Sequence, residues 1–366
     1  MLKIDLIAGA RPNFMKIAPV INAIKQEQQH GAAIQFRLIH TGQHYDKNMS
    51  GSFFEQLGIP EPDVNLGAGG GTQAEQTAAI MTGYEKLLME SSADVCLVVG
   101  DVTSTMACAI VAKKMHMEVV HVEGGIRSGD LSMPEEINRM VTDAITDQFY
   151  TTSEVANENL RKAGIPDERI HFVGNTMIDT LLANMRRLTK PEVFLSQNLS
   201  SGNYLVLTLH RPANVDQEEK LAATLQAIID HSGNLPLIFP VHPRTRKILQ
   251  NLDFESERIT FTDPLPYLEF NYLVKHAKGV ITDSGGITEE TTVMGIPCMT
   301  LRDNTERPET ITTGTNELVG TNPDAIPGHL KKLLSGDWKT GGVPEMWDGK
   351  TAVRIVKSLI SLYGKG

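Results

Sequence analysis

The sequence contains few cysteines and no long apolar run. Cys96, Cys108 and Cys298 are the only three cysteines in 366 residues. They are too few and too scattered for a disulfide framework or a zinc ribbon, so we expect buried thiols in a reducing compartment. No apolar stretch approaches the ~20 residues needed to cross a bilayer, and the N-terminal MLKIDLIAG is too short for a signal peptide. The sequence therefore predicts a cytoplasmic protein with no membrane partner.

Basic residues are also fewer than acidic ones. The chain has 34 Lys and Arg against 44 Asp and Glu, a formal net charge of −10 at pH 7. Because nucleic acids and anionic membranes are bound by clustered basic residues, this balance argues against both as partners. A small anionic ligand is still compatible with it, provided that a few basic residues converge locally.

The sequence does have a regular alternation of short β-branched runs with stretches of helical apolar spacing. This pattern predicts an α/β fold of parallel sheets covered by helices on both faces. The length exceeds what one core usually serves, so we expect two Rossmann-like domains. The runs are LKIDLIAG, IQFRLIHTG, DVCLVVGD, EVVHVEGG, DQFYTTS, RIHFVG, YLVLTLH, PLIFPVH, RITFTDP, KGVITDS and IPCMTL.

A polar stretch at 189–203, TKPEVFLSQNLSSGN, separates the first six runs from the others. We predict a first domain over 1–175 and a second over 176–351, with a C-terminal helix at about 352–366 that packs back on the first domain. Ligands of open parallel sheets bind beyond the carboxyl ends of the strands, so the residues directly after each run are the candidates for a site. Charged and polar residues follow runs in both halves, which suggests one cleft between the domains.

The segment TDSGGITEE follows one such run. Ser284, Gly285 and Gly286 lie where a strand turns into a helix, and the free N–H groups of a helix start can hold a diphosphate. Glu290, further along, could accept hydrogen bonds from both hydroxyls of a ribose. A plain strand-to-helix turn with Ser284 as its N-cap is the alternative.

The segment GARPNFMK occupies the matching place in the first half. Arg11 and Lys16 could reach an anion, or they could belong to an ordinary solvated face. The glycines of LGAGGGTQAEQ do not spell G-x-G-x-x-G, so no nicotinamide cofactor is predicted. His210 and His242 end strands without the companion ligands of a metal site, which favours phosphate contact over zinc.

Carboxylates form a third set of candidate site residues. Asp101 and Glu123 end two consecutive apolar runs, where an unneeded carboxylate would carry a desolvation penalty. Glu135 begins a helical pattern and could complete a capping box with Ser132. Three acids near an anion site are typical of acid–base catalysis.

Taken together, these segments resemble the non-hydrolysing UDP-N-acetylglucosamine 2-epimerases, which interconvert UDP-GlcNAc and UDP-ManNAc. The resemblance covers nearly the whole chain. Its motifs, in the family's order, are GARPNFMK, GDVTST, HVEGGIRSGD, MPEEINR, GNTMIDT, TLHRPANVD, HPRT, TDSGGITEE and RDNTERPE.

The resemblance implies a glycosyltransferase type B architecture, a homodimer, a UDP-sugar substrate, and catalysis without a nicotinamide or metal cofactor. Asp101, Glu123 and Glu135 match the catalytic acids, and His210 joins them beside the departing diphosphate. The implied substrate-binding residues are Arg11, Lys16, His242, Phe270, Ser284, Gly285, Gly286, Glu290 and Arg307.

Two departures from the family's motifs keep the exact reaction open. GARPNF replaces the commoner G-T-R-P-E start and is shared with relatives that act on UDP-2,3-diacetamido uronic acids, and HRPAN replaces H-R-x-E-N. NTERPE favours the plain UDP-GlcNAc branch. A 2-epimerase of the uronic acid nucleotide, or a glycosyltransferase of the same architecture, is therefore an alternative.

A third departure concerns regulation. Many bacterial members bind a second UDP-GlcNAc as an activator, next to the second strand. Here that region reads TGQHYDKNMS, with Tyr45 and Asp46 after Gln43 and His44, and the following helix TQAEQTAAIMTGYEKLL has no arginine. Because an arginine would supply the bidentate anion contact, we predict turnover without this activation.

Overall fold

The computed structural model describes residues 1–42, 54, 56–252, 254 and 256–364, apart from the side chains of Arg11, Pro243 and Arg244. The chain divides into two compact units. The first comprises Met1–Ala183 and Glu345–Gly366, and the second comprises Asn184–Pro344. The predicted boundary at 175 and this division fall at opposite ends of one helix, Thr176–Asn184, whose Ile178 and Leu181 are fully buried.

The first unit is built on a seven-stranded parallel sheet in the order β3-β2-β1-β4-β5-β6-β7. Strand β1 pairs with β2 on one side and with β4 on the other. All five residues of β4 are buried, as expected for a strand covered on both faces. The strands are β1 Leu2–Ala8, β2 Ile34–His40, β3 Val64–Asn65, β4 Val95–Val99, β5 Glu118–Val122, β6 Gln148–Thr151 and β7 Ile170–Phe172.

Helices connect these strands. They are α1 Arg11–Gln29, α2 Gln73–Glu90, α3 Thr103–Lys114, α4 Pro134–Ile145, α5 Glu154–Lys162 and α6 Thr176–Asn184, with a 3₁₀ turn at Asp167–Arg169. The C-terminal helix Thr351–Tyr363 also belongs to this unit. The carboxylate of Asp179 accepts hydrogen bonds from the first two N–H groups of that helix, at 3.1 and 2.7 Å, which fixes its start.

The second unit has a six-stranded parallel sheet in the order β10-β9-β8-β11-β12-β13. Its strands are β8 Leu205–Thr208, β9 Leu237–Pro240, β10 Ile259–Thr262, β11 Gly279–Thr282, β12 Cys298–Thr300 and β13 Asn316–Leu318. Its helices are α7 Glu192–Ser196, α8 Pro212–Val215, α9 Glu218–His231, α10 Pro243–Asn251, α11 Tyr267–His276, α12 Gly285–Met294, α13 Pro308–Thr312 and α14 Ile326–Ser335, with a 3₁₀ turn at Pro323–Ala325.

Both sheets reverse their strand order once, and this topological switch point is where doubly wound sheets bind ligands. In the first unit the switch lies between β1 and β4, and in the second unit it lies between β8 and β11. The predicted α/β class with two Rossmann-like units, the class of the glycosyltransferase type B architecture, is confirmed.

Each unit contains one of the two tryptophans of the chain. Trp347 is 2% exposed and donates to Thr152 O at 3.0 Å in the first unit. Trp338, partly buried in the second unit, donates to Thr315 O at 2.7 Å.

The three cysteines are buried, as predicted, and burial raises the pKa of each thiol. Within the described part of the chain, no helix combines the length and apolarity that a membrane crossing requires.

Candidate active site

Asn13 joins the two strands at the first switch point. Its Oδ1 accepts hydrogen bonds from the N–H groups of Gly9 and Ala10, at 3.2 and 3.0 Å. Its Nδ2 donates to Val99 O at 2.9 Å, across the switch. The turn after β1 is thereby fixed against the end of β4, and the first turns of α1 are held beside that end.

Lys16 lies in this fixed position and forms an ion pair with Glu123, Nζ to Oε2 2.7 Å. Lys16 is 9% exposed and Glu123 is 2% exposed, so the alternative of a solvated face is wrong for Lys16. Gly100 makes the approach possible: a Cβ there would lie 3.2 Å from Lys16 Nζ, and its φ of +68° disfavours any other residue.

Glu123 adopts a backbone conformation that non-glycine residues rarely take. Its φ is +70°, and its N–H donates to Tyr150 O at 2.8 Å. Such left-handed residues cost free energy and concentrate at functional sites. Among the described residues, four non-glycine residues have a positive φ, and Glu123 is the one that was predicted as a catalytic acid.

Asp101 follows β4, next to Glu123 at the end of β5. Its Oδ2 is 2.5 Å from Arg139 Nη2, and its main-chain O accepts from Asn138 Nδ2 at 2.9 Å. Both partners lie on α4, whose first turn also contains Glu135. One helix thus holds Asp101 and carries the third predicted acid.

The structure does not form the capping box suggested for Ser132 and Glu135. Helix α4 begins at Pro134 with Met133 as its N-cap, one residue too late for that pairing, and it has no side-chain cap. Ser132 instead donates its hydroxyl to Asp130 Oδ1 at 2.6 Å. In the part of the chain that the structure describes, the half-buried carboxylate of Glu135 has no hydrogen-bond or ion-pair partner.

The neighbouring Glu136 is a structural contrast. It is 2% exposed and accepts from Ser128 N, Ser128 Oγ and Gly129 N, at 2.9, 3.0 and 3.0 Å, and from Arg139 Nη1 at 2.7 Å. Burial would raise the pKa of this carboxyl, but the hydrogen bonds from Ser128, Arg139 and Gly129 outweigh burial and lower it below its usual value. Glu136 fixes the loop that precedes α4.

At the second switch point, Asp283 joins β11 to the residues after β8. Its carboxylate accepts from the main-chain N–H groups of His210 and Arg211, at 3.0 and 2.9 Å, and from Asn214 Nδ2 at 3.1 Å. Its Oδ1 is also 2.8 Å from His210 Nδ1. Burial would raise the pKa of Asp283, yet the contacts to His210, Arg211 and Asn214 hold it below its usual range. The His210 side chain is 47% exposed, and Asp283 fixes the orientation of its ring.

Ser284 is the N-cap residue of α12, but its side chain makes no capping hydrogen bond. The alternative of Ser284 as an N-cap is therefore correct for its place in the chain, but its hydroxyl does not cap the helix. Gly285 and Gly286 form the first turn, and a Cβ on Gly285 would lie 3.0 Å from Glu306 Oε1. The helix start provides the free N–H groups that an anion requires.

A buried ionic group surrounds Glu306 near this helix start. Its Oε2 is 2.6 Å from Arg302 Nη2, and its Oε1 is 3.6 Å from Arg211 Nη2. Burial would raise the pKa of Glu306, but Arg302, Arg307 and Arg211 lower it to about 2. Arg307, predicted to contact the nucleotide, is itself buried and forms an ion pair with Glu289.

Glu290 is 3% exposed and accepts at Oε1 from Tyr267 Oη, at 2.8 Å, and from Asn271 Nδ2, at 3.4 Å. Burial raises its pKa to about 7, although both hydrogen bonds lower it. Phe270, predicted to lie near the uracil, is half-buried on the same helix as Tyr267 and Asn271. His242 is exposed just beyond β9.

Some predictions fall outside the described residues. Arg11 is the first residue of α1, but its side chain is not described. Gln43, His44, Tyr45 and Asp46, on which the prediction about activation rests, also lie outside. Among the described residues, no group of three or more His, Cys, Asp or Glu side chains is arranged to hold a metal ion.

Sequence reasoning missed the residues that hold the predicted ones in place. They are polar residues within helical patterns, on a strand or directly beside a candidate residue, and their long-range partners leave no local pattern in the sequence. The missed residues are His121, Glu136, Arg139, Asp143, Tyr267 and Asp283.

Comparison with known proteins agrees with this architecture. The family model described as UDP-N-acetylglucosamine 2-epimerase matches residues 26–360. A Methanocaldococcus jannaschii UDP-N-acetylglucosamine 2-epimerase is 39% identical over 100% of both chains. A Pseudomonas aeruginosa UDP-2,3-diacetamido-2,3-dideoxy-D-glucuronate 2-epimerase is also 39% identical, over 99% of this chain and 100% of its own. The crystal structure of M. jannaschii UDP-GlcNAc 2-epimerase in complex with UDP-GlcNAc and UDP superposes with a TM-score of 0.87, covering 98% of this chain and 100% of the other.

Two doubly wound parallel sheets, each with charged residues at its switch point, define a two-domain α/β protein of the glycosyltransferase type B class. Within that class, the chain belongs to the UDP-N-acetylglucosamine 2-epimerase family.

Proposed function

We propose that this protein interconverts UDP-GlcNAc and UDP-ManNAc by inverting C2 of the sugar. The observation that carries the proposal is the group of acids in the first unit. Asp101 and Glu123 follow two neighbouring parallel strands, each with a basic partner, and Glu135 lies on the helix that holds Asp101. Such a group suits a reaction that moves protons at one carbon.

The chemistry explains why more than one acid is needed. The hydrogen at C2 of the sugar is not acidic, since no carbonyl is attached to that carbon. Loss of UDP from C1 builds positive charge there, which makes proton loss from C2 feasible. The C1–O bond breaks, UDP leaves with the bonding electrons, and the proton passes to a carboxylate, leaving a glycal.

The return step runs in the opposite direction. A proton is delivered to the other face of C2, and UDP adds again to C1, so that the atoms balance and only the configuration at C2 has changed. One fixed carboxylate cannot easily serve both faces. We therefore assign the two proton transfers to different members of the group Asp101, Glu123 and Glu135.

We assign the nucleotide to the second unit. The start of α12 at Ser284, together with His210, would stabilise the diphosphate as it departs, Glu290 would accept from the ribose hydroxyls, and Phe270 would lie near the uracil. Arg11, Lys16, His242 and Arg307 remain predicted substrate contacts. Loss of one preorganised donor to developing charge costs about 100- to 1,000-fold in turnover.

A second substrate is supported by a specific observation. The P. aeruginosa relative named for the diacetamido glucuronate nucleotide is as similar, at 39% identity, as the M. jannaschii UDP-GlcNAc relative. The GARPNF segment also favours that substrate, whereas NTERPE favours UDP-GlcNAc. A glycosyltransferase is the third possibility, and it would need an acceptor and no proton transfer at C2.

One experiment separates these functions. The protein is incubated in deuterium oxide with UDP-GlcNAc, or with UDP-2,3-diacetamido-2,3-dideoxyglucuronate, and C2 is followed by ¹H NMR. We expect UDP-GlcNAc to yield UDP-ManNAc with deuterium at C2. Epimerisation of the uronate nucleotide alone would reassign the substrate. An unchanged C2 in both nucleotides would overturn the proposed function.

A further inference from the structure

His121 is completely buried on β5, between two hydrogen-bond acceptors. Its Nε2 is 2.7 Å from the carbonyl oxygen of Gly100, and its Nδ1 is 2.7 Å from Oδ1 of Asp143. A carbonyl oxygen can only accept a hydrogen bond, so Nε2 must carry a hydrogen. Whether Nδ1 of His121 also carries a hydrogen then depends on the ionisation of Asp143.

Asp143 is held as a carboxylate. Its Oδ2 accepts from Gly125 N at 3.0 Å and is 2.6 Å from Arg127 Nη1. The Arg127 guanidinium is a fixed positive charge and a hydrogen-bond donor, so its contact favours the ionised form of Asp143. An ionised carboxylate has no hydrogen to donate, so Nδ1 of His121 must also carry one. Both ring nitrogens are therefore donors.

We propose that His121 is a buried imidazolium ion whose two N–H groups position the ends of β4 and β5, and with them Asp101 and Glu123. In this sense His121 and Asp143 are positioning residues. Their effect on turnover rests on the proposed epimerisation, whereas the charge on His121 does not.

His121 and Asp143 each bond to a backbone group within two residues of Asp101 or Glu123. The carbonyl that His121 holds belongs to Gly100, directly before Asp101, and Asp143 holds the N–H of Gly125, two residues after Glu123. Asp143 also lies four residues after Arg139, the ion partner of Asp101, so both residues share one face of α4. A single helix thereby controls both acids.

The surrounding charges are consistent with a cation at His121. Asp143 is its counter-ion on α4, and Arg127 approaches that same carboxylate from the loop after β5. Lys16 on α1 is paired with Glu123. A neutral His121 would lose one of its two donated bonds, and a buried acceptor without its donor is costly.

The charge can be measured without any assay of activity. In protein labelled with ¹⁵N at histidine, we expect two protonated ring nitrogens for His121 at pH 7.5. The signals are assigned through bonds from the ring to the His121 backbone. A neutral ring with a single N–H at pH 7.5 would overturn the proposal.

The positioning role is tested with Asp143→Asn, whose amide is nearly the same size but carries no charge. Without the Asp143 carboxylate, the second N–H of the His121 ring loses its ionised acceptor. We expect kcat to fall about 100-fold at pH 8, the cost of misplacing a reacting group by about 1 Å, and to recover as the pH is lowered. The affinity for UDP, measured by calorimetry, should be unchanged because Asp143 lies in the first unit.

Asp167→Asn is the matched control, because Asp167 is 75% exposed and pairs with Arg161 on the surface of the same unit. It should alter neither kcat nor its pH dependence. A pH-independent fall of kcat in Asp143→Asn would assign a purely structural role and refute positioning by charge. If that variant does not fold, the protonation of the His121 ring in the wild-type protein still tests the proposed charge. Failure of wild-type epimerisation would refute the proposed function while leaving that measurement intact.

Discussion

The hydroxyl of Tyr267 donates a 2.8 Å hydrogen bond to Oε1 of Glu290, and both side chains are buried. Burial raises the pKa of Glu290 to about 7, and the bonds from Tyr267 and Asn271 moderate this rise. In the described residues both bonds go to Oε1, and Oε2 has no partner. One carboxyl oxygen is thus anchored while the other can accept from a ligand.

UDP should bind more tightly as the pH rises through 7. If the ribose hydroxyls donate to Glu290, binding favours the carboxylate and lowers its pKa, so UDP releases a proton when it binds below about pH 7. The affinity should then fall by up to about tenfold per pH unit below the pKa of the free protein and level off above it. Calorimetry at several pH values, in buffers of different ionisation enthalpy, measures both the affinity for UDP and the number of protons released on binding.

Two variants isolate this effect from the titration of UDP itself. Glu290→Gln should bind UDP more weakly and retain only the pH dependence of the nucleotide. Tyr267→Phe removes a bond that lowers the pKa of Glu290, so the midpoint should move to higher pH. An unchanged proton release in Glu290→Gln would remove this residue from the ribose.

Asp101→Asn and Glu123→Gln should each retain UDP binding and lose most epimerisation. Each acid is proposed to move or orient a proton, a contribution of about 100- to 10,000-fold in rate. Initial rates from NMR of the C2 signal, beside UDP affinities, provide the comparison. Turnover within a few-fold of wild type in either variant would exclude that residue from proton transfer.

Glu135→Gln and Glu136→Gln form a matched pair of neighbours with opposite expected effects. Glu135 has no partner among the described residues, so its substitution should lower kcat and change stability by less than about 0.5 kcal/mol. Glu136 accepts four hydrogen bonds in a buried place, so its substitution should cost about 2 kcal/mol of unfolding free energy. Urea unfolding and initial rates of both variants check this. A normal rate in Glu135→Gln would contradict a catalytic role.

Lys16→Met should destabilise the first unit by about 3 kcal/mol, because it removes the ion partner of a buried carboxylate. Glu123→Gln in the same chain removes the charge that had been left behind, so the double variant should be more stable than Lys16→Met alone. A double-mutant cycle of unfolding free energies measures this coupling. Additive effects of the two substitutions would contradict a direct ion pair.

The last prediction concerns the kinetics of the reverse reaction. Because helix α2 has no arginine to supply a bidentate anion contact, UDP-ManNAc should turn over without added UDP-GlcNAc and with a hyperbolic dependence on concentration. Progress curves with UDP-ManNAc purified free of its epimer provide the measurement. A lag that traces of UDP-GlcNAc abolish would show that an activator site exists with other residues.

The sheets could be predicted from sequence to a large extent. All eleven apolar runs contain strands, because β-branched runs have a strong local signal. The two strands that were missed, Val64–Asn65 and Asn316–Leu318, are short edge strands that pair with a single neighbour. Neither segment lies in an apolar β-branched run, unlike the equally short edge strand Ile170–Phe172, so its pairing depends on the sheet that it joins.

The site residues at the ends of strands could be predicted from the sequence. The residues that hold them in position could not. Asp101 and Glu123 stand directly after apolar runs, where topology alone suggests a ligand. Asp143 and Arg139, in contrast, are separated from their partners by many residues along the chain, and only folding brings them together. The capping box of Ser132 and Glu135, the alternative to a catalytic Glu135, does not form because the helix starts at Pro134 and Ser132 bonds to Asp130.

The distribution of the two tryptophans provides an optical means to follow each unit separately. Trp347 reports on the first unit and Trp338 on the second, each through an indole that donates to a main-chain carbonyl. Trp338→Phe and Trp347→Phe would each leave one fluorophore, whose emission shifts to longer wavelength when its unit opens to water. Coincident denaturation curves from the two single-tryptophan proteins would mean that the units unfold as one cooperative system. Separate curves would assign a stability to each unit, and the shift of either curve with UDP would identify the unit that binds the nucleotide.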